Sequence, residues 1–368
     1  MSESTLQAFL GRYPQWASKP GPLSEVILSS RVRLARNLEA VPFPTMGTPD
    51  QMKGVAQRIQ QACQFVPRLK ESDFLPVADL EPHELDFLLE RRLISRDLAM
   101  GKRHSAVVVE FGEELSLMVN EEDHLRLQGV VSGFRLGEAL DLVSEVDDEL
   151  EGHVGFAFSE SFGYLTACPT NVGTGMRASV LAHLPALSIT GEARKVIQGA
   201  AALGLAVRGF YGEGTEIMGN FVQISNQTTL GIEENEIVVS LSEKVQKIID
   251  AEAAAREKMW TTAKVQLEDK VYRAQALLQS ARSLKSKEVL SLTSAVRFGL
   301  ALELPDLCSA EVLNEILVFS QSGHVRQWAG RELNREEKRE FRATIVRARL
   351  HEAGWANGSG SKGWAQGN

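Results

Sequence analysis

Up to about residue 235, short apolar runs interleave with stretches whose apolar positions recur every three or four residues, so strands and helices alternate along the chain. Residues 25–29 predict a first strand that runs into Ser30-Arg31-Val32-Arg33. Residues 48–64 have helical spacing, with Met52, Val55, Ile59 and Cys63 on one side and Thr48 placed as the cap. Residues 105–111 and 115–120 flank a polar Gly112-Glu113-Glu114 turn and predict a hairpin. A helix over 136–150 lines Leu136, Leu140, Val143, Val146 and Leu150 along one face, and residues 154–158 read as a further strand. Residues 190–203 predict a helix with Glu192 in its first turn and Gly204 past its end. Strands over 205–210 and 220–225 then enclose a glycine-rich segment. This is the pattern of one mixed α/β domain.

Beyond Val239 the periodicity turns helical. Residues 240–262 form a long amphipathic helix rich in Ala, Glu and Lys, and helical patterns continue to about Glu352. The last of these helices, over 334–351, is strongly basic. The chain therefore divides into an N-terminal extension (1–23), a mixed domain (24–238), an all-α domain (239–352) and a Gly/Ser/Asn-rich tail (353–368) expected to be disordered.

Composition narrows the class. The chain has 368 residues, enough for about two domains, and 43% hydrophobic content, enough for a substantial core. Cys63, Cys168 and Cys308 lie far apart with no paired spacing, which argues against a disulfide framework or a zinc site and for a reducing cytoplasm. The first 24 residues carry three prolines and no apolar core of a signal peptide, and no apolar run approaches a membrane span. A net charge of −8 argues against bulk nucleic-acid binding.

The chemistry concentrates in a few polar clusters. Asn120-Glu121-Glu122-Asp123-His124-Leu125-Arg126 follows an apolar run, and three carboxylates beside an arginine are costly to desolvate there. Alone, this cluster suits a solvated turn, a divalent-metal site or catalysis equally. Arg31 and Arg33 stand two apart at the end of the first strand and so share a face. Arg177 follows a loop containing Gly173 and Gly175, and Arg208 ends another strand. Singly, an arginine at a strand end is most often a snorkelling surface residue. Five of them beside carboxylates and glycine-rich turns point to a polyphosphate, because the guanidinium fork matches phosphate oxygens bidentately. Neither the P-loop nor the signature elements of ordinary protein kinases are present.

Four segments in this order resemble the phosphagen (guanidino) kinase family, most closely its bacterial branch, the protein arginine kinases of McsB type. They are Ser29 through Arg33, Asn120 through Arg126, Cys168-Pro169-Thr170-Asn171-Val172-Gly173-Thr174-Gly175-Met176-Arg177, and Arg208 through Glu216, followed by Ile224-Ser225-Asn226. The resemblance covers about residues 24–235 and implies an α+β catalytic domain: a mixed, largely antiparallel sheet flanked by helices, followed by the all-α domain. It further implies that Ser29, Arg31, Arg33, Arg126, Arg177 and Arg208 hold the phosphates of ATP. Glu122 would be the base, Glu213 its partner and Cys168 the reactive thiol beside the acceptor guanidinium. Mg²⁺ would be associated through water with Glu121 and Asp123, with no direct protein ligand. Such an arrangement suits a loose phosphoryl-transfer transition state, in which one arginine contributes up to ~10³–10⁵ in rate.

Kinases of this family that act on small guanidines carry a helical domain before the Ser-Ser-Arg-Val-Arg segment. Here that segment starts at Ser29, so the expected acceptor is an arginine side chain of a protein. The resemblance implies a stress-response or quality-control kinase, with unfolded clients or a transcriptional repressor as substrates, an activator protein, a Clp-type ATPase or protease partner, and a homodimer through the helical domain. A kinase for a small free guanidine and a non-catalytic phosphoarginine-binding adaptor are the rival readings. Two departures stand out. Arg92 replaces a histidine expected near the adenine, and the phosphoarginine-binding motif of the C-terminal domain is matched only by Arg335 and Glu336 and the residues after them. A solvated helix with Glu/Arg pairs explains that last segment equally well.

Overall fold

The computed structural model describes residues 6–101, 104–209 and 219–355. Its strands are β1 (Ile27–Arg36), β2 (Asp73–Pro76), β3 (Ala106–Val109), β4 (Leu115–Val119), β5 (Leu125–Ser132), β6 (Phe158–Ser159), β7 (Gly163–Tyr164), β8 (Met176–His183), β9 (Leu205–Gly209) and β10 (Phe221–Asn226). Eight of them form one sheet in the order β2-β3-β4-β5-β1-β8-β10-β9, while β6 and β7 make a small hairpin beside it. Each pairing in the large sheet is antiparallel, so this region is α+β.

Pleat alternation gives the central strands two unlike faces. Val32 and Leu34 of β1 pair across to Leu127, Met176 and Ala178, and with Val180 and Ile224 they pack under helix Leu136–Val154. The opposite face carries Arg31 and Arg33. Burying one face fixes the register of every strand, and with it which side chains reach the other.

Several elements depart from the sequence expectation. The first strand extends to Arg36, so Arg31 and Arg33 lie mid-strand rather than at its end. Arg126, which closes the acidic cluster, and Arg177, which follows the glycine-containing loop, lie near the starts of β5 and β8, two strands the sequence pattern did not predict. Of residues 154–158, Val154 still belongs to helix Leu136–Val154, Phe156 makes an isolated bridge to Leu38, and only Phe158 enters a strand, the short β6. The helix expected over 190–203 is the shorter Ala193–Ala202, with Glu192 as its N-cap, and a short helix not expected, Pro185–Ile189, precedes it. The helix expected over 240–262 is Glu234–Ser280, with non-helical backbone at Ala263. Helix Pro49–Cys63 has the expected Thr48 cap, reinforced by Gln51 in a capping box.

Helix Glu234–Ser280 serves two cores. Ile237, Leu241, Val245 and Ile249 pack into the sheet core, whereas Val271 and Leu278 join Val296, Val312, Leu313, Ile316 and Val346 in a second one. Helix Ala310–Phe319 leaves that second core to sit on the arginine-bearing side of the sheet. There Val318 meets Val130 and Trp16, and Leu317 meets Leu28 and Leu181. Among the described residues no helix is long and apolar enough to cross a membrane.

Candidate active site

Antiparallel neighbours share a face, so the register collects the arginines from strands far apart in sequence. Arg33 stands opposite Arg177 on one side and Gln128 on the other, while Ala35 faces Arg126. Arg208, on β9, lies opposite Gln223, and burial followed by repulsion from Arg208 and Arg126 lowers the pKa of Arg177. Burial, followed by repulsion from Arg92, Arg177 and Arg126, pushes Arg31 down to about 9. Arg33 is pushed well below its ordinary range by burial first and then by Arg31, Arg126 and Arg177. Among the described residues no carboxylate forms an ion pair with Arg31, Arg33, Arg177 or Arg208. The Nε atoms of Arg33 and Arg177 are buried without a hydrogen-bond partner. Positive charge gathered and left unanswered in this way favours a polyanion.

The turn between β4 and β5 is built by its own polar residues. Asn120 takes a left-handed conformation (φ 54°), and its side chain donates to the carbonyls of Met52 and His104. His124 accepts from the Leu38 amide at Nδ1 and donates from Nε2 to the Pro42 carbonyl. Burial pushes its pKa down to about 4, so it is a neutral brace. Asp123 is completely buried, accepting from Asn37 and from the Ala167 amide at 2.6 Å. Asp123 thereby ties the turn to the segment entering Cys168. Glu121 is also buried, bonded to Ser95 and to Arg126 at 2.8 Å, and neither residue lines the cavity described below. Glu122 accepts from Arg126 at 3.1 Å and keeps 41% of its side chain exposed.

The loop before β8 comes close to its neighbours through glycine. A Cβ on Gly173 (φ 110°) would stand 2.1 Å from the Thr229 carbonyl oxygen, and one on Gly175 (φ 66°) 2.5 Å from that of Ala35. Buried Arg36, paired to Asp147 at 2.7 Å, donates to the Thr174 carbonyl at 2.8 Å and so holds this loop against β1.

These elements enclose a cavity of about 940 Å³. Arg31, Arg33, Arg126, Arg177, Arg208, Glu122 and Cys168 all line it. Ser29 does not; it is buried in β1. Glu213 lies outside the described residues. Arg335 and Glu336 are exposed in the first turn of helix Arg335–Glu352, away from the cavity, with Glu336 paired to Arg339 at 2.8 Å. The motif reading missed Trp16 and the C-terminal Asn314, Leu317, Val318 and Gln321, which close the other end of the cavity. Their local sequence is that of ordinary core helices, and only packing against the sheet brings them here.

A basic cleft on an antiparallel sheet, with a half-exposed carboxylate and a thiol at one end, is the equipment of a phosphoryl transferase. Comparison with known proteins agrees. Residues 54–255 match the family "ATP:guanido phosphotransferase, C-terminal catalytic domain", and residues 264–360 match "Protein-arginine kinase McsB C-terminal domain"; Ala263 falls between the two. The protein-arginine kinase of Halalkalibacterium halodurans is 43% identical over 348 residues, spanning 94% of this chain and 98% of that protein. That of Bacillus subtilis is 42% identical over 338 residues, spanning 91% and 93%. Among solved structures, the duplicated taurocyamine kinase from Schistosoma mansoni superposes with a TM-score of 0.59 at 28% identity, over 66% of this chain and 36% of that one. A lombricine kinase superposes with a TM-score of 0.57 at 24% identity, over 66% and 71%. The chain belongs to the protein-arginine kinase family of ATP:guanido phosphotransferases.

Proposed function

We propose that the protein transfers the γ-phosphoryl group of Mg·ATP to the guanidinium of arginine side chains in proteins. The observation that carries this reading is the convergence of Arg31, Arg33, Arg126, Arg177, Arg208, Glu122 and Cys168 on one cavity. A guanidinium is protonated at neutral pH and a poor nucleophile. As its terminal nitrogen bonds to the γ-phosphorus, the bond to the ADP oxygen breaks and Glu122 takes the nitrogen's proton. The arginines hold the phosphates in line and neutralise the charge passing to ADP. Glu213 is assigned as the second carboxylate holding the acceptor, and Cys168 as the thiol beside it. The exposed edge of Glu122 leaves room for a guanidinium carried on a polypeptide.

Mg²⁺ fits as an ion carried mainly on the phosphates, because of residues 121–123 only Glu122 faces the cavity. Bound there, it would supply neutralisation of β- and γ-phosphate charge. A role in stress response and cytoplasmic protein quality control, a Clp-type protease partner, an activator protein and a homodimer through the C-terminal helices complete the proposal. The test is to incubate the protein with Mg·ATP and either casein or free arginine, and to look for acid-labile phosphoarginine. The expected outcome is phosphoarginine on casein; turnover of free arginine with none on protein would indicate a small-guanidine kinase instead.

A further inference from the structure

The small hairpin of β6 and β7 carries a series of aromatic rings that runs out of the core into water. Buried Phe156 meets Tyr164 edge-on at 6.3 Å, Tyr164 meets Phe158 edge-on at 5.2 Å, and the Arg36 guanidinium lies 3.5 Å from the centre of the Tyr164 ring. Phe158 pairs with Tyr164 across the hairpin, and the Phe162 amide closes its turn by donating to the Ser159 carbonyl. Yet Phe158 and Phe162 are each 57% exposed, and Leu230 is 51% exposed. The hairpin is also fastened to the transfer centre. The Tyr164 amide donates to the Gly173 carbonyl at 2.7 Å, and a Cβ on Gly163 would stand 2.5 Å from that same oxygen. A Cβ on Gly173 would stand 2.7 Å from the Leu230 Cα, so the Leu230 backbone lies on the same loop. Cys168, Thr170 and Asn171 of that loop line the cavity, and four residues separate Tyr164 from Cys168, a span of at most ~14 Å.

We propose that Phe158, Phe162 and Leu230 form a docking surface for the client polypeptide, taking apolar side chains three or four positions from the acceptor arginine. The proposal rests on the protein-arginine reading above and deepens it by naming what the enzyme reads around the arginine. A guanidinium delivered beside Cys168 on a polypeptide brings its neighbouring residues over the rim of the cavity, and an extended chain advances ~3.3 Å per residue. Exposed apolar side chains gathered at such a rim gain by being covered, whereas a single one on a surface needs no partner. Charge agrees with this occupant. From Phe156 to Gly175 the only charged residue is Glu160, at the hairpin tip, so a cationic segment meets no repulsion there, in contrast to the arginine-lined cavity behind it. The stacked rings beneath hold the hairpin in shape before a client arrives, which lowers the cost of ordering it on binding.

Two synthetic peptides test this on the full chain with Mg·ATP. Both carry one arginine in a Gly/Ser background; one has phenylalanine three and four positions away on each side, and the other has serine there. The parent is expected to show a KM roughly tenfold lower for the phenylalanine peptide at similar kcat, the gain of covering about one aromatic side chain. Phe162→Ser and Phe158→Ser are expected to raise that KM toward the serine peptide's value and to leave the serine peptide within about twofold. Retained turnover of the serine peptide also shows that a variant is folded. Equal KM for the two peptides in the parent, or undiminished discrimination in both variants, would overturn the proposal and leave protein-arginine phosphorylation standing. A changed sedimentation coefficient in Phe162→Ser with unchanged peptide KM would assign the surface to self-association and overturn it as well. A parent that phosphorylates free arginine and neither peptide would overturn the protein-arginine reading itself.

Discussion

Glu122 can do two things at once because of its neighbours. Arg126 anchors one carboxylate oxygen at 3.1 Å, and the exposed remainder faces the cavity where an acceptor guanidinium would sit. Glu122→Gln keeps the shape and the hydrogen bond but cannot take a proton. Turnover should fall by ~10²–10⁴ while calorimetric ATP affinity stays near the parent's. Turnover near that of the parent would remove Glu122 from the mechanism. Cys168 is placed quite differently from the other two cysteines. It is part-exposed in the arginine-lined cavity, whereas burial pushes Cys63 and Cys308 up to about 12. Iodoacetamide at pH 8 should therefore label Cys168 fastest, and ATP with an acceptor peptide should protect it. Equal labelling of all three would make Cys168 an ordinary thiol.

At the scale of elements, the site depends on a loop and a turn held by buried polar contacts. Asp123 reaches the Ala167 amide, Arg36 reaches the Thr174 carbonyl, and Gly173 fits beneath the Thr229 carbonyl. None of these groups need touch a substrate, yet each fixes a segment that does. In Gly173→Ala the new methyl cannot coexist with the Thr229 carbonyl at 2.1 Å, and the left-handed backbone adds strain. The loop must shift, so kcat should drop at least tenfold, together with a melting temperature several degrees lower. A variant that melts early but turns over normally would separate the loop from catalysis.

Across the whole molecule, Glu90 joins the catalytic region to the C-terminal helices. It ends helix Pro82–Glu90, lines the cavity, and accepts from the amides of Gly323 and His324 and from His324 Nδ1 at 2.7, 3.0 and 2.8 Å. Burial pushes its pKa up to about 7, against the pull of those amides and of Arg342, and burial with Arg91 keeps His324 neutral. A carboxyl whose folded pKa is raised from 4.5 to about 7 binds its proton more tightly in the native state. Its stabilising contribution is complete below pH 4.5 and is lost as pH rises through about 7. The melting temperature of the parent should therefore fall between pH 5 and 8 relative to Glu90→Gln. Parallel curves would show that Glu90 is ionised in the fold throughout that range.

Sequence determined the chemistry and most of the local structure. Five arginines, Glu122 and Cys168 stand out because such groups are rarely placed beside apolar runs and glycine turns without a ligand to answer them. Helix Pro49–Cys63 and hairpin β3–β4 were legible because capping and alternation are short-range. Strands β5 and β8 were not, since Arg126 and Arg177 break the apolar pattern for the sake of the face they line. Tertiary structure alone decided that Asp123 and His124 brace the turn from within, because burial depends on what packs over a residue and not on its neighbours in sequence. It alone also brought Trp16 and Leu317 to one end of a single cavity, since only the fold sets three hundred intervening residues aside.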